Sequence, residues 1–179
     1  MEVPLEHTHI YVVQKGENLE RIAKKNHLTP ELLRHVNALP DDAIKVGQKL
    51  KIPAYKFSVV VDKSQNKLFL KGDEEVLKTY TVATGANNST PPGVFKVTDK
   101  LVNPTWYKPG GGALAAGASG NLLGTRWIGL DKKGYGIHGT TEPEKLGQQI
   151  TAGCVRMRND EVEELYNFVT PGTEVTIVN

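Results

Sequence analysis

The chain has 179 residues, of which 39% are hydrophobic and 23% charged, as is usual for a globular protein with one medium domain or a medium and a small one. The net charge of +2 is too small to indicate nucleic-acid binding, and the single cysteine, Cys154, excludes an intrachain disulfide. No run of about 18 apolar residues is present, so no membrane-spanning helix is expected.

The N-terminal segment, MEVPLEHTHIYVV, does not have the composition of a secretion signal. It lacks a basic region followed by an apolar core of about 7–15 residues. Two explanations stay open: the protein reaches its site by a route other than secretion, or a leader has been left out of this sequence.

Residues 10–53 predict a small unit of strand, helix, helix and strand. Asn18 and Thr29 are suited to cap the two helices, and Pro30 is suited to the first position of the second helix. The predicted strands and the apolar helix positions are residues 10–13, Leu19, Ile22, Ala23, Leu32, Leu33, Val36 and residues 49–52.

This unit resembles a LysM module. The matching residues are Tyr11, Val13, Gly16, Asn18, Leu19, Ile22, Ala23, Leu32, Leu33, Asn37, Val46, Gly47, Gln48, Leu50, Ile52 and Pro53. LysM modules bind glycans that contain N-acetylglucosamine, so the resemblance implies a peptidoglycan-binding domain at residues 8–54. Its glycan contacts are expected between Gly16 and Asn37. A small domain that only helps the rest of the chain to fold or pack is the alternative.

From residue 57 onward the pattern is that of short strands. Phe57, Val59 and Val61 alternate with more polar positions, residues 64–66 supply a turn, and further strands are expected at 67–70, 76–83 and 93–98. Helical periodicity is nearly absent before residue 142, so a mainly β domain closed as a sandwich or barrel is expected. The predicted fold class is therefore α+β, with a small βααβ domain followed by this mainly β domain.

Residues 109–124 contain six glycines and four alanines, a composition that predicts a mobile loop without a core of its own. The loop is either a lid over a substrate cleft or a surface insertion. The two tryptophans on either side, Trp106 and Trp127, are expected in the core or in a cleft wall.

The single cysteine and a histidine sixteen residues before it each lie beside a glycine, as His138-Gly139 and Gly153-Cys154. Nucleophilic cysteine chemistry needs a thiolate, a nearby base and donors for the oxyanion that forms on the attacked carbonyl. A glycine before the nucleophile is expected to leave the N–H groups of Gly153 and Cys154 free to face that oxyanion. A buried, structural cysteine is the alternative.

After the cysteine the sequence predicts one more helix and a last strand. Asp160 is suited to cap the helix, and Glu163 is placed to complete a capping box. The predicted buried face and strand comprise Val162, Leu165, Tyr166, Val169 and residues 175–178.

The segment around the histidine and cysteine resembles the L,D-transpeptidase catalytic domain of the YkuD family. The signature residues are His138, Gly139, Thr151, Ala152, Gly153, Cys154, Val155 and Arg156, and residues 90–95 (TPPGVF), 103–106 and 124–130 match further family stretches. Many members carry a second histidine where this chain has Ala152. The resemblance implies a catalytic domain at residues 56–179.

The resemblance implies a role for each of these residues. Cys154 is the implied nucleophile, His138 the general base and then acid, and Gly139 supplies the backbone carbonyl that orients the histidine. The implied substrate and oxyanion residues are Ala152, Gly153, Arg156, Tyr135 and Thr151, with backbone N–H groups of residues 152–154 as the oxyanion donors.

The implied reaction is peptidoglycan cross-linking through a thioester. Cys154 attacks the L-centred bond between the third and fourth residues of a stem peptide, and an amine from a neighbouring stem forms a 3-3 cross-link or exchanges the terminal D-amino acid. No cofactor and no metal are expected, since His7 and His9 have no partner at ligand spacing. The implied partners are stem peptides and glycan strands, with carbapenem β-lactams as inhibitors, and the implied location is the cell wall or the spore, outside the cytoplasm.

Three other functions compete with the transpeptidase. An L,D-carboxypeptidase would hydrolyse the same thioester with water. A papain-like protease expects its cysteine before its histidine and a separate asparagine, the opposite of the order found here. A non-catalytic glycan-binding protein would not need both His138 and Cys154.

Overall fold

The N-terminal part of the chain folds as the predicted strand, helix, helix and strand. In the computed structural model, which describes residues 6–179, these elements are β1 (Thr8–Val12), α1 (Leu19–Lys25), α2 (Pro30–Val36) and β2 (Lys49–Pro53). Strands β1 and β2 pair antiparallel, with Thr8 opposite Pro53. Residues 1–5, the start of the segment considered as a secretion signal, lie outside the described residues.

Both predicted helix caps of this N-terminal unit (residues 8–53) are confirmed. The Asn18 side chain accepts a hydrogen bond from the N–H of Arg21 at 2.8 Å, and the Thr29 hydroxyl accepts one from Leu32 at 3.1 Å. The apolar positions of the two helices and of β2 form the buried centre of the unit: Leu19, Ile22, Ala23, Leu32, Leu33, Leu50 and Ile52.

The rest of the chain, the C-terminal unit (residues 57–179), is mainly β, and the α+β prediction is confirmed. Its elements are β3 (Phe57–Asp62), β4 (Lys67–Gly72), β5 (Glu75–Thr81), β6 (Thr84–Gly85), β7 (Gly93–Val102), β8 (Trp106–Tyr107), β9 (Ala113–Leu114), β10 (Arg126–Leu130), β11 (Gly136–His138), β12 (Gln149–Thr151), β13 (Val155–Arg156), α3 (Asn159–Phe168) and β14 (Glu174–Val178).

Eight of these strands form one sheet, in the order β13-β11-β10-β7-β14-β3-β4-β5. Strand β7 is the longest and joins the two halves of the sheet: residues 93–96 pair with β14, and residues 97–102 pair with β10. The pairs β14–β3 and β11–β13 are parallel. Two smaller sheets accompany it, β6–β12 and β8–β9.

Helix α3 packs against the apolar face of this sheet. Phe57, Val59 and Val61 of β3 are buried, as their alternation predicted, and the ring of Phe57 meets that of Phe168 edge-on at 5.3 Å. Val162 and Leu165 are buried in α3, so this part of the predicted apolar face is confirmed.

The predicted start of α3 is wrong. The helix begins at Asn159, its N-cap is Arg158, and no side chain caps it. The Asp160 carboxylate is held by the Arg158 guanidinium at 3.0 and 2.9 Å, so it does not cap the helix as a capping box with Glu163 requires. The local competition between Arg158 and the backbone amides for the same carboxylate explains the difference.

The glycine-rich segment contains a strand and side-chain hydrogen bonds that its composition did not predict. Strand β9 lies within it and pairs with β8, which immediately precedes it, to form a short hairpin. Asn121 is buried, and its side-chain amide donates to the carbonyl oxygens of Pro104, Leu114 and Ala115 at 3.0, 3.1 and 3.0 Å. A single asparagine therefore ties the hairpin to the chain on either side of it.

The N-terminal and C-terminal units contact each other through α2 and α3. The Thr29 hydroxyl donates to the carbonyl oxygen of Asn167, and the buried side chains of both units form one continuous cluster. The Lys100 ammonium lies 3.8 Å from the centre of the Tyr166 ring beside this contact, and burial lowers its pKa to about 8.

None of the helices within residues 6–179 is both long enough and apolar enough to cross a membrane.

Candidate active site

The neighbouring strands β11 and β13 bring the predicted histidine and cysteine into one site. In their parallel register Ile137 lies opposite Val155, and His138 lies opposite Arg156. His138 and Arg156 therefore lie side by side on neighbouring strands, and Cys154 immediately precedes β13. The Cys154 side chain is half-buried, and its sulfur is 3.5 Å from the carbonyl oxygen of Gly134.

The imidazole of His138 is held in one orientation by two contacts. Its Nδ1 lies 2.7 Å from the carbonyl oxygen of Gly139, and its ring stacks on Trp127 with the centroids 5.9 Å apart. Since a carbonyl can only accept, Nδ1 carries the proton, and Nε2 is left as the basic nitrogen. This is the arrangement expected for His138 and Gly139, and it places Trp127 in the wall of the site.

Burial keeps this imidazole neutral. His138 is 3% exposed, and burial lowers its pKa to about 4; the positive charge of Arg156 lowers it further, while the bond to Gly139 opposes the change. The histidine can therefore accept a proton throughout the neutral pH range.

Burial also keeps the cysteine protonated. It raises the pKa of the Cys154 thiol, against the opposing effects of the Gly136 backbone and of Arg156. The resting site is thus a neutral thiol beside a neutral imidazole, in contrast to the thiolate–imidazolium pair of a cysteine with a strongly lowered pKa. A thiol in this state becomes a strong nucleophile only when a base removes its proton.

A tight turn closed by Thr151 carries Cys154. The Thr151 hydroxyl donates to the carbonyl oxygen of Cys154 at 2.6 Å and accepts from the N–H of Gly153 at 3.1 Å. The expectation that the Gly153 N–H is free for an oxyanion is therefore wrong, because the threonine beside it takes that donor. Ala152 is exposed at the tip of the turn.

Gly153 and Tyr135 are in close contact at this turn. Gly153 has a φ of +134°, and a Cβ at this position would lie 2.7 Å from Cε1 of Tyr135. A side chain here is therefore excluded both by the backbone conformation and by the tyrosine ring. Tyr135 therefore packs against the turn that carries Cys154.

Arg156 lies beside the site with part of its hydrogen-bonding capacity unused. Its side chain is 14% exposed, one terminal nitrogen is 3.7 Å from the Glu142 carboxylate, and its buried Nε has no partner among the described residues. A planar guanidinium in this state is suited to bind a carboxylate.

Asn159 is a site residue that the sequence analysis missed. Its Oδ1 accepts from the N–H groups of Thr125 and Thr140, each at 3.2 Å. The Thr140 N–H and the Gly139 carbonyl belong to the same peptide group. Asn159 bonds the N–H edge of this group, and His138 bonds its carbonyl edge, so Asn159 fixes the carbonyl that orients His138. A Cβ on Gly139 would lie 2.1 Å from this Oδ1, which explains why a glycine follows the histidine. An asparagine at a helix start is a common cap signal, so nothing in the sequence separated it from that role.

Comparison with known proteins identifies the family. The model of the YkuD L,D-transpeptidase catalytic domain matches residues 56–177, and the model of the LysM domain matches residues 11–53. The chain belongs to the YkuD family of L,D-transpeptidases.

Relatives along the whole chain agree with this assignment. YkuD of Bacillus licheniformis is 32% identical over 94% of this chain and 98% of its own length, and YkuD of Bacillus subtilis is 31% identical over 93% and 97%. Bacillus subtilis YqjB is 42% identical over 68% of this chain and 70% of its own. All three carry the L,D-transpeptidase name.

Solved structures share the fold of this L,D-transpeptidase. One from Mycobacterium smegmatis superimposes with a TM-score of 0.59 at 18% identity, over 75% of this chain and 65% of that one. The catalytic domain of the Enterococcus faecium enzyme gives a TM-score of 0.57 at 24% identity, over 68% and 96%. The chain is thus an enzyme of the L,D-transpeptidase class with an N-terminal LysM domain.

Asn37 has a structural role in this L,D-transpeptidase. It ends the range from Gly16 to Asn37 in which glycan contacts are expected. The Asn37 side chain bonds the carbonyl oxygens of Leu33 and Lys51 and the N–H of Lys51, at 2.9, 2.9 and 2.6 Å. Asn37 therefore joins α2 to β2, and the glycan-binding residues stay a prediction.

Proposed function

We propose that this chain is a cysteine-dependent peptidoglycan L,D-transpeptidase in which Cys154 is the nucleophile and His138 the general base. The observation that carries the proposal is the buried, neutral imidazole with its Nδ1 fixed on Gly139, on the strand beside Cys154. The unprotonated Nε2 of this histidine is available to take a proton from a thiol that is itself protonated at rest.

In the proposed first half-reaction the Cys154 sulfur attacks the carbonyl carbon of the third residue of a stem peptide, and Nε2 of His138 accepts the thiol proton. The C–N bond to the fourth residue then breaks, and the proton passes from His138 to the departing amine of D-alanine. A thioester on Cys154 remains. The carboxylate of the leaving D-alanine, or that of the stem, is a fitting partner for Arg156.

In the second half-reaction the amine of a neighbouring stem attacks the thioester, His138 removes a proton from it, and the thiol is regenerated. The product is a 3-3 cross-link, or an exchanged terminal residue when the amine is a free D-amino acid. With the Gly153 N–H bound to Thr151, the N–H groups of Ala152 and Cys154 are the proposed oxyanion donors.

We further propose that the LysM domain, with boundaries at residues 8–54, holds the catalytic domain (56–179) on peptidoglycan strands. The two families together indicate a cell-wall-related protein, and we propose an extracytoplasmic place of action. Solved relatives of the fold include one in complex with imipenem and one from Mycobacterium tuberculosis with a faropenem-derived adduct. We propose that carbapenems such as imipenem acylate Cys154.

The test uses the full chain, a purified disaccharide-tetrapeptide and mass spectrometry, with Cys154→Ala as the matched control. Loss of D-alanine together with a cross-linked dimer, absent from the variant, is the expected result. A monomeric tripeptide alone would replace the proposal by an L,D-carboxypeptidase. No product, together with no imipenem adduct on Cys154, would leave only the glycan-binding function.

A further inference from the structure

A lysine side chain is completely buried behind the site, and the proposed reaction does not use it. Lys63, which follows β3, is 1% exposed, and its ammonium donates to the carbonyl oxygen of Thr90 at 2.8 Å. Within residues 6–179 no carboxylate lies within 4.0 Å of this ammonium. Lysine is almost never fully buried unless it is paired, because an ammonium loses its hydration there.

Thr90 connects this lysine to the turn that carries the nucleophile. Its hydroxyl accepts from the N–H of Gly85 at 2.7 Å and donates to the carbonyl oxygen of Gly153 at 2.8 Å. Because the Gly85 amide can only donate, the hydroxyl proton is available for Gly153. Thr90 is 1% exposed, so water does not compete for these bonds.

The bond to Gly153 fixes the orientation of the next N–H. A trans peptide group is planar, with its C=O and N–H on opposite edges, and the described residues contain no cis peptide. When Thr90 holds the Gly153 oxygen, the N–H of Cys154 must point away from Thr90. No acceptor in the described part of the chain bonds this N–H, so it is a fixed and free donor.

The segment that contains Thr90 has few other backbone bonds to hold it. Residues 91 and 92 are prolines and have no N–H to donate. The preceding turn includes Asn87 and Asn88, both with positive φ. A charge-assisted bond from Lys63 to the Thr90 carbonyl therefore supplies the anchor at this point.

We propose that Lys63 and Thr90 are positioning residues that aim the Cys154 N–H at the oxyanion. The inference rests on the proposed function, because only an acyl-transfer reaction forms that oxyanion. Donors of this kind act by being oriented before the reaction, so loss of the orientation slows acylation without preventing the sulfur from reacting elsewhere.

The test compares two reagents on the full chain by mass spectrometry. Imipenem acylates a cysteine through an oxyanion, whereas iodoacetamide alkylates it by displacement and forms none. Thr90→Val keeps the side-chain shape but lacks the hydroxyl, and Thr90→Ser keeps the hydroxyl. Lys63→Met removes the buried charge, and Lys96→Met removes an exposed charge from β7 as the control.

We expect Thr90→Val to lower the imipenem acylation rate about 10–100-fold, which is less than the roughly 10²–10³-fold effect of deleting one oxyanion donor, because the Cys154 N–H stays in place and loses only its fixed orientation. Lys63→Met is expected to lower it about tenfold, because Thr90 keeps its hydroxyl but loses its anchor. Thr90→Ser should restore most of the rate, Lys96→Met should leave it unchanged, and iodoacetamide alkylation should stay at the wild-type rate in every variant.

Wild-type acylation rates in both Thr90→Val and Lys63→Met would overturn the inference. Equal slowing of acylation and alkylation would also overturn it, since it would show that the turn has merely collapsed. A wild-type chain that is alkylated but not acylated would overturn this inference, and it would also refute the proposed function if the same chain gives no product from the disaccharide-tetrapeptide. Should Thr90→Val not fold, as judged by circular dichroism, Lys63→Met decides the question, because it puts an unbranched apolar side chain at a buried position.

Discussion

Replacement of His138 by glutamine should remove a pH dependence from the stability of the fold. The imidazole is 3% exposed, and its pKa is lowered from 6.5 to about 4, first of all by burial. Between these two values the unfolded chain binds a proton that the folded chain does not. The free energy of unfolding therefore has its full value above pH 6.5 and falls as the pH is lowered towards 4.

The size of the effect follows from the two pKa values. The difference between 6.5 and about 4 corresponds to about 3 kcal/mol of unfolding free energy. About 2 kcal/mol of it is lost between pH 7 and pH 5, where the unfolded imidazole becomes protonated and the folded one does not.

The assay is urea unfolding of the wild type and of His138→Gln at pH 7 and pH 5. Glutamine can still donate to the Gly139 carbonyl, and all other titrating groups are shared. The wild type should lose about 2 kcal/mol more than the variant between the two pH values. His35→Gln, at an exposed position in α2, is the control and should behave as the wild type. Equal losses in the wild type and in His138→Gln would show that the folded imidazole is protonated, and would refute its role as a neutral base.

Further predictions concern the thiol, the histidine support, the nucleophile turn and the contact between the domains. Burial raises the pKa of the Cys154 thiol, so the rate of iodoacetamide alkylation should still rise with pH where the rate for a free cysteine has reached its plateau. A rate that reaches its plateau below pH 7 would instead indicate a thiolate–imidazolium pair. Asn159→Ala should lower the rate of imipenem acylation about tenfold, which is part of the roughly 10²–10⁴-fold that proton transfer contributes. Asn159→Asp keeps the acceptor oxygen and should keep most of the rate. A wild-type rate in Asn159→Ala would show that the asparagine does not support His138. Gly153→Ala should destabilise the fold by about 1–3 kcal/mol, measured by urea unfolding, and a Tyr135→Ala background should relieve only the contact with the ring. Thr29→Val removes a helix cap and the bond to α3 and should cost about 1–2 kcal/mol, and Thr29→Ser should not; no difference between them would mean that neither bond stabilises the fold.

Local signals in the sequence predicted the local structure well. Asn18 and Thr29 cap their helices as expected, because a cap bonds an amide only three residues away. The alternation of apolar residues in β3 predicted its buried face, because side chains along a strand point alternately to its two faces. The start of α3 was predicted wrongly because Arg158, two residues from Asp160, competes for its carboxylate. The order around Asn121 was missed, since composition does not show that one asparagine will reach three carbonyl groups.

The sequence by itself determined the family, the βααβ unit with the mainly β domain behind it, and the candidate pair His138 and Cys154. These depend on residue types and on spacing, which are local properties. Only the tertiary structure decided that the pair is neutral at rest, because burial sets both pKa values. Only it showed that the Gly153 N–H is occupied and that Thr90, 63 residues away, holds the adjoining carbonyl. The orientation of a peptide group and the burial of a side chain arise from packing between distant segments, and no spacing in the sequence encodes them.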